Sequence, residues 1–245
     1  MIITPHILLH GYAAGIFPMS DDRDDDEVYW VEPKKRAILP LDQFHLSRSL
    51  AKVIRSDHFR VSVNEDFPAI VRLCAEAAPD RPTTWINHAI EASYSELHRL
   101  GFAHSVECWE GAELVGGLYG VSLGRAFFGE SMVSRRTNAS KVALVWLVAR
   151  MKAAGMELLD CQFITDHLRS LGAIEITQRQ YQSLLAGALS DGALPAGAAG
   201  DASLLLSAGP GAAAERAFAP DPAELFNVSG PVSGQTISQL FTQTS

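Results

Sequence analysis

Two spacings of apolar residues alternate along this chain. In "HLSRSLAKVIRS" (45–56) they recur every three or four positions, which is the period of a helix with one buried stripe, and Ser47 is placed to cap it. The same period returns at about 66–78, at 87–100 behind Asn87, and from Asn138 to about Ala154, where Gly155 ends it. Strand patterns occupy "FRVSV" (59–63) and then three segments in succession, "AHSVECWE", "ELVGGLYGVSL" and "RAFFGESM". "EGAE" (110–113) is the hairpin turn between the first two. Residues 1–20 suggest a short helix ending near "AGIFP", with short strands after it at "VYWVEP" and "RAILPL". After the long helix come a strand "MELLDCQF" (156–163), a short helix near 166–171, a strand near "AIEI" and a helix near 177–186.

A meander and then a strand–helix–strand crossover imply a mixed sheet of the α/β (α+β) class. The order resembles the acyltransferase fold of the GCN5-related N-acetyltransferases, although fold does not fix chemistry. The expected organisation is a small N-terminal α+β domain over 1–62, an acyltransferase-like catalytic domain over 63–188, and a tail over 189–245. That tail is rich in Ala, Gly, Ser and Pro, has few large apolar anchors, and is expected to be disordered and dispensable.

Composition narrows the classes. With 245 residues, 47% hydrophobic and 20% charged, the chain is globular, and no apolar run reaches the length of a membrane helix. The first residues lack the basic stretch of a signal peptide, so a cytoplasmic protein without membrane contact is expected. The three cysteines, Cys74, Cys108 and Cys161, are far apart, and the eight histidines are scattered, which disfavours disulfides and metal sites. The acidic "SDDRDDDE" (20–27) lacks the Gly and the terminal Glu of a calcium loop. A net charge of −8 disfavours broad nucleic-acid binding but leaves room for a local basic face. Lys34, Arg36, Arg48 and Lys52 are the candidates for it.

Polar residues in apolar strands carry the chemistry. Alternation puts Leu158, Asp160 and Gln162 on one face of their strand, and Phe128, Glu130 and Met132 on one face of theirs. The helix 138–154 joins these strands, and a right-handed crossover would lay them parallel and close. Glu130, Asp160 and Gln162 then converge near the carboxyl ends, where open α/β sheets bind ligands. The alternative is that they are strand-end residues facing solvent or capping a helix.

"GIFPM", "HLSRSL", "TWI", "HSVECW", "ELVGGLYGV", "FFGESM", "NASKVAL" and "LLDCQF..DHLRSLGA" occur in order between residues 9 and 185. Together they resemble the leucyl/phenylalanyl-tRNA–protein transferases. The resemblance implies transfer of Leu or Phe from Leu-tRNA or Phe-tRNA to proteins bearing N-terminal Arg or Lys, marking them for degradation by the N-end rule pathway. It implies no cofactor and no metal. It gives catalytic roles to Gln162, Asp160 and Glu130. It gives a side-chain pocket to Leu118, Phe127, Met132, Leu144, Leu147 and Leu159, and an adenosine platform to Trp85. Met19 stands where many members have a second Trp at that platform. Phe127 and Leu159 fall on strand faces opposite to Glu130 and Asp160, so either the polar groups sit at the pocket rim or a bulge breaks the alternation. The tail has no counterpart in the motifs.

The chemistry is an α-amine attacking an ester, a downhill step in which positioning is the large term. In this reading Gln162 accepts a hydrogen bond from the amine, Asp160 bonds and polarises the Gln162 carboxamide, and Glu130 holds donor or acceptor. Two carboxylates near the acceptor would also suit its basic side chain. One rival is a coenzyme-A-dependent N-acyltransferase. It needs a Gly-rich pyrophosphate loop before the long helix, and "SMVSRRTNASK" has no glycine there. The other is a non-catalytic tRNA-binding module, against which the intact "GESM" and "DCQ" motifs argue. "NASK" reads as a helix start at Asn138, and "ELVGGLYG" as glycines permitting a bulge or close strand approach.

Overall fold

The structure, a computed structural model, describes residues 3–77, 82–190, 209, 211–218 and 232–241. Its framework is a seven-stranded mixed sheet in the order β4-β5-β6-β7-β8-β3-β9. These strands are β3 (Lys35–Ile38), β4 (Arg60–Val63), β5 (Ala103–Glu110), β6 (Glu113–Leu123), β7 (Ala126–Ser134), β8 (Leu158–Gln162) and β9 (Ile174–Thr177). A separate pair is formed by β1 (Phe17–Met19) and β2 (Tyr29–Val31). Every neighbouring pair in the large sheet is antiparallel except β7 and β8, which run parallel. Their connection is α5 (Ala139–Ala154), as the crossover rule requires.

Helices cover both faces. On one face lie α5, α2 (Arg48–Arg55) and α6 (Asp166–Ser170). On the other lie α1 (Pro5–Ala14), α3 (Phe67–Ala75), α4 (His88–Arg99) and α7 (Gln178–Ser190). Local signals fix several ends. Ser47 Oγ accepts from Leu50 N and Asn87 Oδ1 from Ile90 N, and Gly155 adopts φ +76° at the end of α5. Asn138 occupies the start of α5 with φ +74° but makes no side-chain cap bond.

The described part of the first 62 residues shares sheet and core with residues 63–190. Strand β3 is inserted between β8 and β9, and Leu8, Leu9 and Tyr12 of α1 are wholly buried in the same cluster as Tyr94 and Phe128. An extended strand with Ala37 and Ile38 buried finds its hydrogen-bond partners only in that sheet.

The tail also departs from expectation where it is described. Helices α8 (Ala212–Ala217) and α9 (Gly234–Gln239) dock on the α5 face. Ala217 and Ile237 are wholly buried there, and Phe218 nearly so. Gly234 N–H donates to Asp57 Oδ1 at 2.7 Å, and Phe241 packs on Phe44 with ring centroids 5.2 Å apart. A low-complexity sequence can therefore be anchored by a few well-spaced apolar residues. The expectation for 191–208, 210, 219–231 and 242–245 lies outside the described residues.

Burial of a Phe or Ile side chain contributes about 1.5–3 kcal/mol. A chain ending at residue 190 loses Phe218 and Ile237, so its melting temperature, read by circular dichroism, is expected to fall by at least about 5 °C.

Candidate active site

Strands β7 and β8 pair over only three positions, Ala126–Leu158, Phe127–Leu159 and Phe128–Asp160. Beyond the last pair they part, and a cavity of about 650 Å³ opens at the gap. Two backbone irregularities sit there. In β7, Ser131 faces Tyr119 while Gly129 faces Gly120, which leaves Glu130 as the extra residue of a bulge. In β8, Gln162 has φ +61°, a conformation that β-carbon sterics disfavour. Strict alternation therefore fails past Glu130. Phe127 lies on the α5 face and Phe128 on the opposite face, yet Met132 returns to the α5 face. Gln162 lines the cavity, and its carboxamide reaches toward Glu130.

The irregularities are held by a buried polar network. Arg36, at 1% exposure, donates Nε to Asp160 Oδ1 at 2.9 Å and Nη2 to Oδ2 at 2.6 Å. Its Nη1 donates to the Gly15 carbonyl at 3.0 Å. The guanidinium lies between the rings of Phe17 and Tyr181, at 4.7 and 4.5 Å from their centroids. Asp160 also accepts from Tyr181 Oη at 2.7 Å and from the Gln162 backbone N–H at 2.8 Å. This last bond clamps the left-handed residue. The Gln162 carboxamide turns away from Asp160 and donates Nε2 to Glu130 Oε1 at 2.9 Å. Glu130 further accepts from Tyr12 Oη at 2.8 Å and Tyr94 Oη at 2.7 Å, and the two hydroxyls are 2.6 Å apart.

Electrostatics reflect burial. The Glu130 carboxyl is pushed up to about 7, chiefly by burial. Hydrogen bonds from Tyr94, Tyr12 and Gln162 oppose that rise, and the charge of Asp160 adds to it. Burial lowers the Arg36 pKa, but its bonds to Asp160 and that carboxylate's charge outweigh this and leave it raised. Burial also raises the Tyr12, Tyr94 and Tyr181 hydroxyls, which stay protonated donors.

Around this network the cavity is mostly apolar. Leu118, Met132, Leu144, Leu147 and Leu159 line it, whereas Phe127 packs in the layer beneath. Trp85 and Met19 line another side, tied together by the Ser20 N–H bonding the Trp85 carbonyl at 3.2 Å. Lys34, Arg48 and Lys52 are exposed, and none is among the described residues lining the cavity.

Three expectations change. Arg36 is no phosphate contact, because its guanidinium is buried and bonded to Asp160. Asp160 bonds the backbone of Gln162, not its carboxamide. Neither carboxylate is left open for a basic acceptor side chain, since internal donors occupy the oxygens of both. Sequence reasoning did not single out Tyr12, Tyr94, Tyr181 or Phe163, which also lines the cavity. A buried Tyr needs a partner for its hydroxyl, but nothing local names that partner. No group of three or more His, Cys, Asp or Glu placed to hold a metal occurs among the described residues, and none of their helices is long and apolar enough to cross a membrane.

The network is open to two tests. Arg36→Met strands a buried carboxylate, so urea denaturation should show a loss of about 3–5 kcal/mol, partly recovered by adding Asp160→Asn. The raised Glu130 pKa means that the folded chain holds this proton more tightly than the unfolded chain. Its stabilisation is complete below about pH 4.5 and is lost as pH rises through about 7. The stability difference between the unaltered protein and Glu130→Gln should therefore fall by about 3 kcal/mol across that window.

Comparison with known proteins agrees with the motifs. A family model described as leucyl/phenylalanyl-tRNA protein transferase matches residues 38–186, and one described as its N-terminal domain matches residues 1–34. A protein of Rhizorhabdus wittichii named leucyl/phenylalanyl-tRNA–protein transferase is 59% identical over 246 residues, covering 99% of both chains. Relatives of the same name from Zymomonas mobilis and Cereibacter sphaeroides are 66% and 58% identical. They cover 77% and 78% of this chain, and 70% and 87% of their own. The full-length match includes the tail, which is therefore shared with at least one relative. This chain belongs to the leucyl/phenylalanyl-tRNA–protein transferase family.

Proposed function

We propose that this enzyme moves Leu or Phe from aminoacyl-tRNA to the α-amine of cytoplasmic proteins with N-terminal Arg or Lys, committing them to N-end rule degradation. The observation that carries the reading is the cavity itself. An aliphatic wall adjoins a carboxamide fixed in one orientation, with Trp85 and Met19 at the side. The parallel β7–β8 pair that parts at the site, joined by the long α5, supports a GCN5-related acyltransferase-like reading of the fold. The glycine-free junction before α5 argues against a coenzyme A donor.

The amino-acid side chain enters the aliphatic wall, and the terminal adenosine stacks on Trp85, a contact worth about 1–3 kcal/mol for any base. Because Gln162 Nε2 is committed to Glu130, its Oε1 is left to accept from the incoming α-amine and to hold the lone pair toward the ester carbonyl. The new C–N bond forms as the C–O bond to the ribose breaks, and the proton lost by the amine ends on the ribose oxygen. Glu130 is a buried carboxyl close to half-titrated at neutral pH, suited to sharing that proton while keeping Gln162 in place. Asp160 and Arg36 act at one remove, through the backbone of Gln162. Exposed Lys34, Arg48 and Lys52 are proposed to meet tRNA phosphates, contacts that carry no sequence information and suit an enzyme using several tRNAs.

Radiolabelled Leu supplied as Leu-tRNA should pass to a model protein with N-terminal Arg and not to its twin with N-terminal Ala. Gln162→Ala should lower that transfer by about 100-fold. Near-normal turnover of Gln162→Ala rejects its assignment, and equal transfer to both proteins rejects the acceptor class.

A further inference from the structure

The C-terminal segment reaches the layer directly beneath the cavity wall. Phe218, the residue after α8, is stacked on His104 with centroids 4.0 Å apart and planes 5° apart. It also packs on Phe127, at 5.3 Å and 28°. Phe127 is wholly buried and pairs across the parallel ladder with Leu159, which lines the cavity. The contacts therefore run from Phe218 to Phe127 to Leu159 to the cavity. Gly120, opposite His104 in the β5–β6 ladder, leaves the Phe127 ring its place, because a β-carbon there would lie 2.6 Å from Cε1.

Phe218 is held from several sides. The buried Arg150 of α5 donates Nε to the Ala217 carbonyl, and Ala214 and Ala217 turn small side chains into the core. Burial lowers the His104 pKa to about 3, so its ring stays neutral and stacks as an uncharged platform through the physiological range. Its Nδ1 bonds the Asn64 carboxamide at 3.1 Å.

We propose that Phe218 is a specificity-determining residue, which props Phe127, and through it Leu159, at the depth that limits which donor side chain the cavity accepts. This rests on the cavity being the aminoacyl side-chain site. Interiors are close-packed, so removing the Phe218 ring opens a void behind Phe127 into which that ring can retreat. The cavity then deepens at its base. A bulky aromatic donor gains relative to Leu, whereas a merely structural role would lower transfer of both donors equally.

The test measures kcat/KM for Phe-tRNA and for Leu-tRNA with the full chain and with Phe218→Leu, Phe218→Ala and Leu144→Ala, each well below its own Tm. Leu144 lines the cavity directly and reports on the pocket reading alone. Phe218→Ala should raise the Phe-to-Leu ratio by roughly 5- to 20-fold, with Phe218→Leu between it and the unaltered enzyme. If Phe218→Ala does not fold, Phe218→Leu decides in its place. A ratio shifted by Leu144→Ala but unmoved by the Phe218 variants overturns the proposal and leaves the pocket reading standing. A ratio unmoved by all three overturns the pocket reading and this proposal with it.

Discussion

The buried ion pair between Arg36 and Asp160 is the constraint on which the site depends. A carboxylate in the middle of a sheet is costly unless its charge and lone pairs are met. Here both are met by a guanidinium from β3, a tyrosine from α7 and the backbone of Gln162. That requirement explains why β3, from early in the chain, is inserted beside β8. It also explains how a residue with φ +61° persists, since the Asp160 bond to its N–H holds a conformation the bare chain disfavours.

The Gln162 carboxamide is oriented by a second network, joined to the first through Gln162 itself. Tyr12 from α1 and Tyr94 from α4 converge on Glu130, which accepts from Gln162. The bulge at Glu130 and the left-handed turn at Gln162 do complementary work. Together they bring polar groups to the edge of an aliphatic cavity. A rigid network in a low-dielectric setting needs little rearrangement when substrate arrives, which is what catalysis by positioning requires.

The element pattern was largely legible in sequence because helix and strand periods, caps and hairpin turns are local signals. Ser47, Asn87 and Gly155 end their helices as those signals predict, and the crossover rule correctly laid β7 beside β8. Alternation misled at Met132, because a bulge leaves no trace in the order of polar and apolar residues. Composition misled at the two described helices of the tail for a related reason. Phe218 and Ile237 are sparse anchors in an Ala- and Gly-rich segment, and their worth depends on surfaces contributed by α2, α5 and β7.

By itself the sequence determined the class of fold, the order of its elements, the family and the identity of the Glu130, Asp160 and Gln162 group. Tertiary structure decided the partners. Arg36 is basic like its exposed neighbours, yet it meets Asp160 across 124 residues. Tyr12 meets Glu130 across 118. Such pairs arise from how the sheet is wound and which groups lose their water together. A pairing of that kind is a property of the folded interior, where unmet charge is costly, and no local stretch of chain encodes it.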